Sequence, residues 1–583
     1  MRLRGRDSGQ ASRRIRVALG FVVAGWLLPA SAVHGDGRNP ALLPNDMIAR
    51  GRNAAVATCE PHATAVGLEV LRDGGNAVDA AVAIALTLAV THPQAGNLGG
   101  GGFLIVRMHD GQTAAFDFRE KAPAAATATM YLRPDGTLDT EKVQYGATSA
   151  AVPGSPAGLC LALAQFGKKS LRELAQPAIA LARHGVPVDQ FLAAALRDER
   201  ELLGRSATAR AIFFKDGEPL KQGELLMQPD LAATLERFAE AGPSGFYRGR
   251  TAELIAAHMA SNGGYVTAAD LTTYAPVQRE VLRGTYRGCE VLSMPPPSSG
   301  GVALLQMLNL LEPYDLRSMG FGSSETLHLL TEVMRRAYAD RAKWLGDPDH
   351  VSVPTSGLVS KDYATTLRQG LRTDRRSEVA PGVPPGAPEG DDTTHFSVVD
   401  QAGNAVACTT TLNATFGSGD VVAGAGFLLN DEMDDFAARP GTPNQFGLVG
   451  GRANAIAPGK RMLSSMTPTI VVRDGKVVVV LGAPGGGRII NAVMQVLLNV
   501  VDHGMTLESA VRAPRIHHQW MPDSLMWEEN SLPRDVRQKL AAMGHTFEPR
   551  PRAIARVQCI AIRDDGERIA VCDHRSGGSA GAF

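Results

Sequence analysis

The order of apolar and polar residues predicts helices through most of the first half of the chain. Residues 62–72 have the spacing of an amphipathic helix, and Gly74 and Gly75 follow as a helix-ending signal. Asn76 can cap a second helix over 77–90, which is apolar on nearly every side. A helix with this pattern is predicted to be buried on all faces.

Residues 170–345 continue the helical character, with amphipathic stretches at 203–213 and 227–241. The second half changes, because alternating apolar residues there form hairpins around a predicted helix at 487–501. Of the four predicted hairpins, three surround an Asp-Gly turn signal. The four hairpins join 103–108 with 113–118, 394–399 with 404–411, 469–473 with 476–481, and 557–563 with 568–572. Hairpins interspersed with helices indicate an α+β fold with stacked antiparallel sheets between helix layers.

Composition narrows the classes of partner. The 583 residues are 44% hydrophobic and carry a formal net charge of zero. Nothing in this balance favours nucleic acid or an anionic membrane surface as partner. At the N-terminus, basic Arg13 and Arg14 precede an apolar core at 17–28 and small residues at 30–32. This order is typical of a signal peptide, so residues 1–32 are predicted to be removed and the protein to be periplasmic or secreted, without stable membrane association. The alternative is an uncleaved membrane anchor.

Cysteine and histidine residues predict little chemistry. Six Cys in a chain of this length are not a disulfide framework. If Asp565 and Gly566 form a two-residue turn, Cys559 lies opposite Cys572 with Cα atoms about 4.5 Å apart, so a disulfide is predicted there. The 14 His residues offer no convincing ligand spacing, and neither a metal nor a cofactor is expected.

Thr393 is the candidate nucleophile. It stands between a Pro/Gly-rich stretch, 380–392, and the predicted strand 394–399. A Thr hydroxyl needs activation, and cleavage of the chain before it would free an α-amine with a pKa of about 7.7–8.0 as the base. Most Thr residues at strand starts are structural, so the residues around it decide the interpretation.

Motifs along most of the chain accompany Thr393. They are GNAVDAAVA at 75–83, THPQAGNLGGGGF at 91–103, DFRE at 117–120, PGSPAG at 153–158, PPPSSGG at 295–301, TTTLNATFGSG at 409–419, LNDEMDDF at 429–436, RMLSSMTP at 461–468 and GAPGGGR at 482–488. Together they resemble the γ-glutamyltranspeptidase family, which belongs to the N-terminal-nucleophile hydrolases. The resemblance runs from about residue 53 to the C-terminus. It implies a four-layer αββα sandwich.

The resemblance also implies self-processing. The chain would cut itself between Asp392 and Thr393, giving a large subunit, 33–392, and a small subunit, 393–583. The two subunits would stay together as a heterodimer, because strands of both build one core.

The activity implied is that of a γ-glutamyltransferase and glutathione hydrolase. Thr393 would attack the γ-carbonyl of glutathione or another γ-glutamyl compound to form an ester. Water, or the amine of an amino acid or dipeptide, would then resolve that ester.

The resemblance assigns roles to further residues. Thr411 would position the nucleophile and assist self-cleavage. Backbone N–H groups of Gly485 and Gly486 would stabilise the oxyanion. A phosphate-binding turn is the alternative for these glycines, but no Gly-Lys-Ser/Thr follows them. The substrate carboxylate would meet Arg119, Ser464 and Ser465, and its ammonium would meet Asn413, Glu432 and Asp435.

Each of these residues also has an ordinary interpretation. Asp434 and Asp435 could cap a helix, and Ser464 and Ser465 could be turn residues. Six such residues in register favour the family's site over six coincidences. Two other functions stay open: a related amidohydrolase of the same fold, such as a cephalosporin acylase or a poly-γ-glutamate enzyme, and an inactive secreted binding protein.

Three positions depart from the family. Gly487 stands where Ser is frequent, Glu432 where some relatives have Gln, and Phe446 where Tyr is common. Phe446 lies in a segment, 440–451, that resembles the family's lid loop. Loss of the Tyr hydroxyl removes one possible hydrogen bond, so a more mobile lid is predicted.

Overall fold

The computed structural model describes residues 47–381, 394–575 and 577–583. The predicted signal peptide, 1–32, and both residues of the predicted cleavage bond, Asp392 and Thr393, lie outside the described residues.

Two seven-stranded antiparallel sheets form the centre of the molecule. The first has the order β1-β19-β18-β15-β14-β11-β10, and the second has the order β20-β2-β12-β13-β3-β4-β9. The strands are β1 Ile48–Gly51, β2 Ala55–Thr58, β3 Gly101–Arg107, β4 Thr113–Asp117, β5 Val186–Pro187, β6 Phe214–Lys215, β7 Glu218–Pro219, β8 Leu225–Leu226, β9 Val277–Arg279, β10 Leu282–Tyr286, β11 Cys289–Ser293, β12 Thr394–Val399, β13 Ala405–Thr411, β14 Thr469–Arg473, β15 Lys476–Gly482, β16 Ile516–His517, β17 Met526–Trp527, β18 Gln558–Ile562, β19 Arg568–Cys572 and β20 Ser579–Ala582.

Twenty α-helices are found in the described chain. They are α1 Pro61–Arg72, α2 Ala77–Thr91, α3 Thr140–Gln144, α4 Ser155–Phe166, α5 Leu171–His184, α6 Gln190–Asp198, α7 Arg200–Leu203, α8 Ala207–Phe213, α9 Pro229–Ala241, α10 Ser244–Tyr247, α11 Gly249–Ser261, α12 Ala268–Thr273, α13 Gly300–Leu311, α14 Leu316–Met319, α15 Ser324–Trp344, α16 Thr355–Leu358, α17 Lys361–Gln369, α18 Arg488–Val501, α19 Leu507–Arg512 and α20 Arg534–Ala542. Within the described ranges, none of these helices combines the length and the apolar character that crossing a bilayer requires.

The alternation of side chains along β12 shows how the layers stack. Phe396 and Val398 point into an apolar core shared with helices α1, α2, α4, α5 and α9. His395 and Ser397 point the other way, where the Ser397 hydroxyl donates to the carbonyl of Gln558 in β18 of the other sheet at 3.2 Å. Helices α13, α15 and α18 cover the far face of the first sheet, which contains β18. The order is helix, sheet, sheet, helix, which confirms the predicted αββα fold.

Strands from before and after the undescribed segment 382–393 alternate within the same sheets. In the second sheet β12 and β13 lie between β2 and β3, and in the first β14 lies beside β11. One core is therefore built by both parts of the chain.

Most predicted elements are found. The predicted helix 77–90 is α2, whose Asn76 and Asp79 form a capping box and whose residues are all buried. The single helix predicted over 203–213 is wrong, because Gly204 ends α7 and Ser206 caps α8 by accepting from the Ala209 amide. A Gly and a capping Ser together outweigh the amphipathic spacing.

The turn between β18 and β19 also differs from the prediction. The Arg563 amide donates to the Glu567 carbonyl at 2.9 Å, so three residues, 564–566, form the loop instead of two. Gly566 takes a positive φ of 84°, as the last residue of a three-residue hairpin loop commonly does. The extra loop residue shifts the register of the two strands by one.

The predicted disulfide is wrong for this reason. Cys559 pairs with Val571, and Cys572 pairs with Gln558. Cys559 packs in the core under the helices, whereas the Cys572 thiol donates to the carbonyl of Thr58 in the opposite sheet at 3.4 Å. The two sulfurs face opposite sides of their sheet, and all six cysteines are free thiols.

Candidate active site

Four strand ends meet at one edge of the second sheet. Thr394, which follows Thr393 in the sequence, begins β12 opposite Thr410 of β13. The next residue of β13, Thr411, pairs with Gly101 at the start of β3. Beyond the end of β4, the Phe118 amide and carbonyl bond with Gly102 at 3.0 and 3.2 Å. The first residue of β12 and the segment that contains Arg119 therefore lie at the same edge of the sheet, separated by β13 and β3.

Thr411 is held from several directions. Its hydroxyl accepts from the amide of Asn413 at 2.7 Å, and its carbonyl accepts from the Asn97 side chain at 2.6 Å. Asn97 also accepts from the amide of Gly100 at 3.0 Å, and a Cβ on Gly100 would overlap the Thr411 carbonyl. The glycine run beside β13 thus permits a backbone approach that fixes Thr411.

Arg119 is the centre of a buried ionic cluster. Its guanidinium pairs with Glu432, with Asp435 at 2.5 Å and with Glu120 at 3.5 Å. It also donates to the carbonyl of Met462 at 3.2 Å. The structure therefore brings together Arg119, Glu432 and Asp435, which the sequence predicted for opposite ends of the substrate head group.

Burial and charge oppose each other in this cluster. Burial raises the pKa of Glu120 to about 7, although Arg119 acts against the rise. Burial likewise raises the pKa of Glu432 well above its usual value, and Glu120 and Asp435 add to the effect. Burial works against the charge on Arg119, but Glu432, Glu120 and Asp435 together raise its pKa. Glu120 can therefore hold a proton near neutral pH, and burial favours the protonated form of Glu432 as well.

Glu120 was missed as a site residue in the sequence. The sequence does contain a signal for Glu120, because this residue directly follows Arg119 in the motif DFRE. Its carboxylate lies so close to Gly101 that a Cβ there would approach Oε2 to 2.6 Å.

Asn413 and Asp431 lie beside the ionic cluster, after the end of β13. Asn413 has a positive φ of 78°, which Asn tolerates better than most residues, and its Nδ2 donates to the Asp431 carbonyl at 3.0 Å. Its buried Oδ1 has no hydrogen-bond partner among the described residues. Burial raises the pKa of Asp431 to about 7. Asn413 thus offers an acceptor to a bound cation.

Ser464 and Ser465 precede β14 on the opposite sheet. The Ser464 amide donates to Pro297 at 2.9 Å, and its hydroxyl accepts from the Met466 amide at 3.1 Å. The Ser465 hydroxyl lies 3.5 Å from that of Ser299. The segment reaches Arg119 through the carbonyls of Met462 and Leu463, so the two serines lie next to the ionic cluster in the chain.

Gly485 and Gly486 lie in the turn between β15 and α18. Their φ angles are 136° and 64°, in the region that favours glycine. The Gly485 carbonyl accepts from the Arg488 side chain at 2.8 Å. Neither glycine amide donates a hydrogen bond within the described part of the chain. The turn therefore presents two available backbone donors.

The predicted lid, 440–451, contacts the acidic residues. Asn444 donates to Asp435 at 3.3 Å, and Gln445 donates to Asp431 at 2.7 Å. The carbonyl of Phe446 accepts from Gln519 at 3.3 Å. A substrate that binds Asp435 has to replace the hydrogen bond from Asn444 with its own. The greater mobility expected from Phe446 stays a prediction.

Comparisons with known proteins identify the family. The family model described as Gamma-glutamyltranspeptidase matches residues 63–583. The chain belongs to the γ-glutamyltranspeptidase family. It is 48% identical over 532 residues to the glutathione hydrolase proenzyme of Escherichia coli (strain K12), covering 90% of this chain and 91% of that protein.

Acylases of this family are similar as well. The chain is 39% identical over 538 residues to the acylase ACY 1 proenzyme of Pseudomonas sp. (strain V22), covering 91% of this chain and 94% of that protein. The crystal structure of cephalosporin acylase from Bacillus halodurans superposes with a TM-score of 0.82 at 27% identity, over 95% of this chain and 99% of that one. The fold alone therefore does not choose between the two activities.

Proposed function

We propose that this protein is a self-processing γ-glutamyltransferase and glutathione hydrolase. The observation that carries the proposal is the buried cluster of Arg119, Glu432 and Asp435 at the same sheet edge as Thr394. A γ-glutamyl group ends in an α-carboxylate and an α-ammonium, and the cluster contains a group of opposite charge for each. The 48% identity to a glutathione hydrolase proenzyme supports it.

Thr393 is the proposed nucleophile. Its hydroxyl oxygen bonds to the γ-carbonyl carbon, while the hydroxyl proton passes to the Thr393 α-amine. That proton then goes to the leaving amine as the amide bond breaks, which leaves a γ-glutamyl ester on Thr393. Water releases glutamate from the ester, or the amine of an amino acid or dipeptide forms a new γ-glutamyl amide. None of these steps calls on a metal or a cofactor.

The tetrahedral intermediate carries its negative charge on the former carbonyl oxygen. We assign the N–H groups of Gly485 and Gly486 as its donors, since both are available and lie in a turn beyond β15. A donor of this kind is typically worth about 2.7–4 kcal/mol in the transition state. We assign to Thr411 the positioning of the nucleophile, because it ends the strand that pairs with β12.

Recognition of the head group requires an exchange of partners. Glu432 and Asp435 pair with the Arg119 guanidinium in the structure. A bound α-carboxylate replaces part of this pairing at the guanidinium, aided by Ser464 and Ser465. The released carboxylates then receive the ammonium, together with the Oδ1 of Asn413, which has no partner among the described residues. The substrate brings both charges at once, so the net charge of the buried site is unchanged by binding.

Self-cleavage is proposed between Asp392 and Thr393. After removal of residues 1–32, it would give subunits 33–392 and 393–583 that remain one periplasmic or secreted heterodimer. The alternation of strands from both parts within each sheet supports their staying together.

A related acylase is the second candidate, favoured by the 39% identity to an acylase ACY 1 proenzyme. Two chromogenic anilides separate the candidates, namely the γ-glutamyl anilide and the glutaryl anilide that lacks only the α-amine. We expect cleavage of the γ-glutamyl anilide to be preferred by at least about tenfold, the value of one lost ion pair of about 1.4 kcal/mol. Preference for the glutaryl anilide would favour the acylase.

Intact-mass analysis tests the nucleophile. Purified wild type should give two fragments, the smaller beginning at Thr393, and Thr393→Ala should remain one chain. Thr394→Ala is the matched control, because the described contact of that hydroxyl is with the Cys59 sulfur at 4.0 Å. A Thr393→Ala chain cut at the wild-type rate would reject the mechanism.

A further inference from the structure

The last described stretch before residue 382 is fixed by a buried polar cluster. Ser377 is buried, and its amide lies 3.3 Å from both carboxylate oxygens of Glu332 on α15. Arg335 donates to the Ser377 carbonyl and to Glu332, each at 2.8 Å. The Ser377 hydroxyl accepts from the amide of Arg372 at 3.0 Å. The cluster closes residues 372–377 into a compact loop.

Residues from beyond the undescribed segment hold the same stretch. The indole N–H of Trp520 donates to the Val379 carbonyl at 3.1 Å. The Arg376 amide donates to the Met543 carbonyl at 2.7 Å, and the Arg376 side chain pairs with Asp523. The stretch is thus attached both to α15 and to residues 520–543. If the chain is cut as proposed, these contacts join the two subunits.

Two hydrogen-bonded histidines, His328 and His545, complete the cluster. The His328 Nε2 lies 2.8 Å from the carbonyl of Arg372, which can only accept, so Nε2 carries the proton. The Nδ1 of His328 is then an acceptor and receives a hydrogen bond from His545 Nε2 at 2.7 Å. Burial lowers the pKa of His545 to about 4. His328 thus links the Arg372 carbonyl of the stretch to His545.

His328, Glu332 and His545 also have ligand atoms close enough together to suggest a cation site. The hydrogen bond between the two imidazoles argues against one, because a shared metal would require both facing nitrogens to be unprotonated. Glu332 is already paired with Arg335 and Arg336, each at 2.8 Å, and two guanidinium charges repel a cation. The three residues act as an anchor for residues 372–379.

We propose that Glu332, Arg335 and Trp520 are positioning residues for self-cleavage. They fix residues 372–379 on one side of the segment that carries the proposed scissile bond, while β12 fixes Thr394 on the other side. Only 14 residues, 380–393, join the two anchored ends. Fixing both ends restricts where the bond can lie and so raises its effective concentration at the site. The inference rests on the proposed self-processing function.

Trp520→Phe is the mildest test, because it removes the bond to Val379 and keeps an aromatic ring at this position. Trp527→Phe is the matched control, since the Trp527 indole makes the same kind of bond, to the Glu548 carbonyl at 3.0 Å, away from residues 372–379. Self-cleavage is followed by intact mass after cell-free synthesis of the full chain, with unfolding temperature recorded in parallel. We expect Trp520→Phe to be cut about tenfold more slowly than Trp527→Phe.

The mature enzyme supplies the second readout. Once cut, Trp520→Phe should hydrolyse the γ-glutamyl anilide with wild-type kcat and KM, because the lost bond is to Val379 and not to a proposed catalytic or substrate-binding residue. Ser377→Ala, which keeps all charges, should show the same split between processing and activity.

Equal cutting rates for Trp520→Phe, Ser377→Ala and the control would overturn the proposal that the anchor positions the cleavage site. The proposed self-processing function would then still stand. Equal losses of processing, unfolding temperature and mature activity would also overturn the anchor proposal and indicate a structural role. A wild-type chain that is never cut would reject the proposed function together with the anchor.

Discussion

Gly482, the last residue of β15, packs directly on the imidazole ring of His395 in β12, and a Cβ at position 482 would overlap that ring. The contact joins the two sheets at the edge where β12 begins. The turn that follows Gly482 carries Gly485 and Gly486. The lack of a side chain at position 482 therefore permits the close approach of the strand before the proposed oxyanion donors to the strand that Thr393 precedes.

Replacing Gly485 with Ala tests the oxyanion assignment. The φ of 136° is unfavourable for Ala, and the new Cβ would lie 2.8 Å from the Cα of Ala555, so the turn has to move. We expect kcat to fall by about 10²–10³-fold with KM nearly unchanged, as for loss of one oxyanion donor. Steady-state hydrolysis of the γ-glutamyl anilide measures both.

Gly475→Ala is the control for Gly485→Ala. Gly475 also has a positive φ, 75°, in the β14–β15 turn, and a Cβ added there would have no atom within 4 Å. It should lose stability but keep kcat. Similar kcat values for the two variants would contradict the assignment.

Local signals in the sequence predicted most helices and strands. They did not predict the contacts between residues that are far apart in the sequence. Asp-Gly turns and Asn76 predicted hairpins and a buried helix that the structure contains. The Cys559–Cys572 pairing failed because Asp565-Gly566 is also compatible with a three-residue loop, and the shift of one residue puts the two cysteines on opposite faces of the sheet. The pairing of Arg119 with Asp435, 316 positions away, depends on how the sheets stack and has no local signal.

The pH dependence of substrate binding tests the role of Glu120. Burial raises its pKa to about 7, so Glu120 is mainly neutral at pH 6 and mainly a carboxylate at pH 8. The charged form lies 3.5 Å from Arg119 and competes with the substrate carboxylate. We expect KM for the γ-glutamyl anilide to rise about three- to tenfold from pH 6 to pH 8, as one ionisation near pH 7 allows.

Glu120→Gln removes this ionisation. It should make KM nearly independent of pH over this range and leave the pH dependence of kcat unchanged. The same raised pKa affects stability: an unfolded Glu loses its proton near pH 4.5, so the contribution is present below that pH and is lost as pH rises through about 7. Glu120→Gln should therefore also reduce the fall in unfolding free energy over this range. An unchanged KM profile in the variant would contradict the role.

Asp435 and its neighbour Asp434 allow a matched test of ammonium recognition. Asp435 pairs with Arg119, whereas Asp434 accepts from Gln144 and the Gln445 amide. We expect Asp435→Asn to raise KM for the γ-glutamyl anilide by about 10–100-fold, the worth of a charge-assisted hydrogen bond of about 1.5–3 kcal/mol. The glutaryl anilide, without an ammonium, should be affected less. Asp434→Asn should leave the ratio of the two substrates unchanged, and a shift in that ratio would place recognition elsewhere.

Phe446 tests the lid. Its ring packs against the core under α13, α15 and α18, and its carbonyl accepts from Gln519, but a Phe ring cannot donate a hydrogen bond of its own. Phe446→Tyr adds a hydroxyl donor, so amide exchange across residues 440–451 should slow, by about three- to tenfold for one hydrogen bond of about 0.5–1.5 kcal/mol. Hydrogen–deuterium exchange measures this directly, with the turn around Gly475 as an internal reference that should not change. Comparable exchange in wild type and Phe446→Tyr would mean that the bonds of Asn444 and Gln445 to Asp435 and Asp431 already hold the lid without the hydroxyl.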